Sequence, residues 1–249
     1  MRNCLLLGGL LLVFSLSAQS GPQNIGTGIL FKFGLGGQIP GGDLADRFGA
    51  NMNFGGGLDV ITEKSNLIFG LECYYLFGSS IKESILAPLL TPEGFILAEN
   101  GEYADIQLRE RGFYIGATVG KLFALSTKNP RSGIRATLGV GLLQHQIRIQ
   151  DDPFRYVPQL TENYKKGYDR LTNGLAINEF IGYQMLSANK RVNFYVGFEF
   201  TQGLTQNRRD FNFDTRSADT QKRFDLLMGI RAGWIVPLYV GKRAAEIIY

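Results

Sequence analysis

The 249-residue chain has one histidine, one tryptophan, two cysteines and eight prolines, and its 26 Lys and Arg barely outnumber its 22 Asp and Glu. A single histidine excludes a histidine-based metal centre and leaves little material for general acid–base chemistry. Two cysteines, one of them at position 4, cannot build a disulfide scaffold. With a net charge of +4, both signs intermixed and no basic run, nucleic acid is excluded as a partner. No stretch after residue 14 reaches the roughly 18 to 20 uncharged apolar residues of a membrane-spanning helix.

What is present is alternation. From Leu67 to Phe77 every odd residue is apolar (Leu67, Phe69, Leu71, Cys73, Tyr75, Phe77), and Gly70, Glu72 and Tyr74 lie between them. The pattern returns at Val192–Phe200 and again at Phe224–Val236, where Asp225, Gly229, Arg231 and Gly233 form the polar set. A period of two marks strands whose faces meet different surroundings. The apolar set is large, aromatic and nearly free of charge, whereas the polar set is rich in glycine and isolated charges of both signs. That division suits an apolar exterior in lipid and a crowded polar interior better than a soluble sheet.

Eight such segments can be read, at roughly 27–39, 51–62, 66–78, 107–123, 133–149, 174–186, 191–206 and 222–239. Their connections alternate in length. Short ones at 63–65, 124–132 and 187–190 separate longer ones at 40–50, 79–106, 150–173 and 207–221, as expected for short periplasmic turns and long outside loops. The sixth segment breaks the rule, because its parity turns Glu179 outward and Phe180 inward; a bulge near Asn178 would shift parity and repair it.

Before the first strand, Arg2, the apolar stretch Leu5–Phe14 and the small residues Ser15, Ser17, Ala18 and Ser20 read as a signal peptide over 1–19. Its loss would remove Cys4 and leave Cys73 facing lipid. The expected barrel domain is 20–249, in which Pro237 ends the last strand and 240–249 forms a periplasmic tail. The fold class expected is all-β: an eight-stranded antiparallel up-and-down transmembrane barrel. In these features the chain resembles the small eight-stranded outer-membrane barrels typified by the transmembrane domain of outer-membrane protein A. Gly229, Trp234, Tyr239 and the terminal Tyr249 look like the C-terminal signal read by the barrel-assembly machinery. The resemblance implies a place in the outer membrane, with lipid and lipopolysaccharide as neighbours and no cofactor.

Parity directs Lys32, Arg135 and Arg231 inward together with Asp59, Glu72, Glu199 and Asp225. Buried charges require partners, so these seven should form a lumen network that plugs the barrel or, if it switches, gates a narrow path for small solutes. Wide porin-like conduction does not fit so full a lumen. Glycine strings such as Gly34–Gly37 and Gly55–Gly57 precede no helix pattern and serve packing rather than phosphate binding. His145, with Ser79, Ser80 and Glu102, is the one conceivable catalytic grouping for a lipid A-modifying enzyme, and no spacing selects it, so no enzyme is expected.

Function is then expected in the outside loops, through which a structural or accessory subunit binds other envelope proteins in a larger complex. Phe154, Arg155, Tyr156, Tyr164, Tyr168 and Arg170 have the composition of an interface. Ile85, Leu86, Leu89, Leu90, Phe95, Ile96 and Leu97 need a cover, either the barrel mouth or another protein. Asp43, Asp46, Asp151 and Asp152 lack the spacing of a calcium loop. Arg208, Arg209, Lys222 and Arg223 are candidates to meet lipid phosphates at the outer rim.

Overall fold

The structure, a computed structural model, describes residues 26–127, 129–187 and 192–240. The expected signal segment 1–19 and the tail beyond Val240 lie outside the described residues. Eight long strands pair antiparallel in one ring: β1 (Thr27–Gly42), β2 (Asn51–Ile61), β3 (Leu67–Gly78), β6 (Gln107–Ala124), β7 (Gly133–Gln150), β8 (Thr172–Leu186), β9 (Asn193–Asn207) and β10 (Lys222–Val240). Two-residue strands β4 (Ile96–Leu97) and β5 (Tyr103–Ala104) form a small hairpin in the second outer loop.

Closure follows from register. Traced across the rungs, Lys32 leads through Gly57, Glu72, Gly116, Gly141, Ala176, Gly203 and Asp225 back to β1 at Gly42, ten residues further along the strand. A stagger of that size requires strands tilted by roughly 35–45° and leaves an interior that side chains fill. The outward positions form an apolar belt with Phe33, Phe69, Leu71, Ile115, Val140, Phe198 and Trp234 exposed. An apolar belt on the outside of a closed sheet belongs in lipid, because closure satisfies every strand edge.

The interior is layered. At the end with the short turns Leu30, Ile61, Ile68, Leu122, Leu186 and Ile235 form an apolar floor. Below it Arg131, almost wholly buried, donates to the carbonyl oxygens of Thr62 (2.8 Å) and Gly26 (2.5 Å) and to Oδ1 of Asn66 (2.8 Å). Asn66 takes the left-handed backbone conformation (φ 53°) that its short polar side chain tolerates in the tight β2–β3 turn.

Two expectations about the strands are corrected. No bulge interrupts β8: its rungs to β7 and β9 run unbroken through Asn178, so Glu179 faces lipid and Phe180 faces the lumen. Phe180 is inward because Gly182 and Gly197 face each other there and leave room for its ring, whose Cζ would lie 2.9 and 2.8 Å from a Cβ added at either glycine. Pro237 does not end its strand either, since β10 continues to Val240. Among the described residues the rung of Pro237 is to Leu30 of β1.

Candidate functional site: the lumen network and the outer loops

Six of the seven charges that parity directs inward join one network; Glu110 of β6, not among the seven, is also buried and accepts from Asn51. Asp59 Oδ2 receives Lys32 Nζ at 3.1 Å and Arg135 Nη2 at 2.6 Å, and Lys32 reaches Glu72 at 3.6 Å. Arg231 continues the chain to Glu72 (3.9 Å) and Glu199 (3.2 Å). Three cations thus face three carboxylates, which is the condition for holding them out of water. Amide side chains complete the shell: Gln38 and Asn53 donate to Glu199 Oε1 at 2.9 and 2.7 Å, and Arg135 donates to Gln184 at 3.0 Å. The Arg231 guanidinium stacks 4.1 Å from the Tyr74 ring and 5.2 Å from Phe180. Parity alone directs Gln38, Asn53, Gln184 and Tyr74 inward, but a search for charges passes over them.

Asp225, the seventh charge, stands apart near the outer end. Its Oδ2 meets His145 Nε2 at 2.9 Å and accepts the Thr205 hydroxyl at 2.5 Å, while Phe48 packs edge-on to the imidazole. The Thr205 hydroxyl thus donates to the carboxylate rather than to the imidazole. Among the described residues neither Ser79 nor Ser80 engages His145 through its side chain, and Glu102 pairs instead with Arg155 at 3.0 Å.

Above this level the outer loops fold into a cap. The short helix α1 (Leu44–Arg47) and Phe48 cover one side, and Ile85, Leu86 and Ile96 are buried with Val157, Leu160 and Tyr168 over Leu76, Leu143 and Leu227 of the barrel mouth. The apolar set of the second loop therefore divides: Leu90, Phe95 and Leu97 remain exposed. Ion pairs tie all four loops together. Glu83 accepts from Arg47 and Arg170, both at 2.9 Å, and Arg170 reaches Asp214 at 2.5 Å.

The six loop residues chosen for interface composition separate into two groups. Phe154 (90% exposed), Tyr156 (59%) and Tyr164 lie on the surface, and Arg155 is half-exposed between Glu102 and Asp152. Tyr168 and Arg170 do not share that surface. Tyr168 packs edge-on to Phe213, and Arg170 is buried in the ion-paired cap. The 154–156 segment is fixed against the β4–β5 hairpin by the Glu99 N–H donating to the Tyr156 carbonyl (2.9 Å) and by the Arg155–Glu102 pair. Asp152 anchors it from below, accepting the backbone N–H of Phe154 (2.8 Å) and of Asp105 (3.1 Å). These bonds from two backbone amides hold its carboxyl below its ordinary value of 3.8. On the same hairpin Phe95 and Tyr103 stack with ring centroids 4.5 Å apart. Of the rim cations, Arg208 is bonded to Asn173, Arg209 to Asp169 and Arg223 to Asp219; Arg208 and Lys222 are exposed, and among the described residues Lys222 alone of the four has no such bond.

No family model and no curated protein sequence matches the chain. Among solved structures it is similar to the outer membrane protein OprG of Pseudomonas aeruginosa, at 10% identity and a TM-score of 0.41, over 88% of this chain and 99% of that one. It is likewise similar to Ail, the attachment invasion locus protein of Yersinia pestis, at 10% identity and a TM-score of 0.38, over 85% of this chain and 99% of that one. One Ail structure is a complex with the heparin analogue sucrose octasulfate. The closed ring of eight antiparallel strands, its outward apolar belt and its charged interior give the chain the architecture of a small eight-stranded transmembrane β-barrel.

Proposed function

We propose that the chain is a structural or accessory subunit of the envelope that binds another envelope protein through its outer loops. One observation carries this reading: Phe95, Tyr103, Phe154 and Tyr156 are exposed on segments pinned in place by backbone hydrogen bonds and ion pairs. A rigid display of aromatics loses little conformational entropy on binding and has the composition of interface anchors. The charged layer below it acts as a plug that fixes register, and the reading contains no catalytic step.

Photo-crosslinking in native membranes tests it. A crosslinker replacing Phe154 or Tyr156 should give a discrete adduct with one other protein, and Phe95→Ala with Tyr103→Ala should weaken it at least tenfold. The same crosslinker replacing Ile230 on the lipid face should not capture that protein. Equal capture at all three positions would sink the proposal.

A further inference from the structure

The outward face of β8 carries the residue that breaks the alternation. Glu179 is the central residue of this fifteen-residue strand, is exposed on the lipid side, and among the described residues takes part in no hydrogen bond or ion pair. Leu138 of β7 and Phe200 of β9 flank it across the rungs. At mid-depth a bilayer offers neither water nor headgroup, so an ionisable side chain there needs a partner. The wall beside it is also indented. A groove of about 690 Å³ runs over Ala136, with Val119 and Leu138 on one side and Phe198 and Phe200 on the other.

We propose that this face is the contact between two copies of the chain in the membrane, joined on a two-fold axis by their Glu179 carboxyl groups. A two-fold axis along the membrane normal returns every residue to its own depth, so a residue at the axis meets itself. A neutral carboxyl group is both donor and acceptor, and each copy gives its O–H to the carbonyl oxygen of the other. The pair needs no ion and no water. The same rotation sets the β7 side of one copy against the β9 side of its partner, which places Phe198 (67% exposed) opposite the depression at Ala136. A phospholipid tail could fill the groove, but it has no donor for Glu179. Lys121, the cation of the groove, lies three residues from the short-turn end of β6, and the rotation keeps it at that level.

Disulfide trapping in native outer membranes tests the contact. On a Cys73→Ser background, Ile177→Cys and Ile181→Cys, the outward neighbours of Glu179, should each give a species of twice the chain's mass under oxidation. Leu71→Cys on β3 should not. Adding Glu179→Leu to Ile181→Cys should lower the trapped fraction about tenfold, whereas Glu179→Gln, whose amide also donates and accepts, should keep it. Heat-modified migration on gels verifies that every variant is a folded barrel. The proposal is overturned by trapping no greater than at Leu71→Cys, by an adduct of any other mass, by a fraction unaffected by Glu179→Leu, or by a purified monomer carrying phospholipid.

Discussion

Arg231 illustrates how much a single lumen side chain can hold. It is nearly wholly buried, carries one charge against Glu199 and Glu72, and covers the Tyr74 ring with its plane. Arg231→Ala leaves two carboxylates facing one fewer cation in a space with little water. Removing one member of such a buried set costs about 3–5 kcal/mol. Urea unfolding in lipid vesicles, followed by the single tryptophan Trp234, which is exposed on the lipid face, should show that loss. A midpoint within error of the native chain would mean that the network contributes nothing to stability.

Among the elements, the segment from Asp151 to Tyr156 is tied to Asp105 from below by one carboxylate, that of Asp152. Asp152 is lowered by accepting amides from its own loop and from Asp105, so its contribution is complete above its ordinary value of 3.8 and fades as pH falls through its lower folded value. Amide exchange in micelles should therefore show Phe154 and Asp105 protected at pH 6 and released as pH drops below 3.8, ahead of the β6–β7 rungs. Asp152→Ala should release both amides at pH 6; unchanged protection would show that the hairpin alone fixes the loop.

The strands themselves were readable, because lipid and lumen differ enough to mark every second residue of β3, β7 and β9. In the sequence alone Phe180 reads as a sign of a bulge, because the space for it comes from Gly182 and Gly197, which meet only once β8 and β9 are paired. Composition likewise cannot separate Tyr156 from Tyr168. Which of the two is exposed depends on Phe213 and the cap, distant in sequence and brought together by closure.

For the molecule as a whole, eight strands with a ten-residue stagger leave a lumen already occupied by the apolar floor, the charge network and the capped mouth. Planar bilayers containing the native chain should show no reproducible conductance. Regular single-channel steps at moderate voltage would favour the gated path over the plug.

The cap has a consequence in time. Arg47, Glu83, Arg170 and Asp214 come from four different loops, and the first and last strands meet along the β1–β10 seam. Contacts between segments so far apart in sequence form late, after the pairings that bring their strands together. A barrel caught with its seam open during insertion cannot assemble the complete cap, and Ile85 and Leu86 then lack part of their cover. The aromatic display of the long loops would be finished only on molecules whose insertion is complete, so a partner that binds it would select mature barrels over stalled ones.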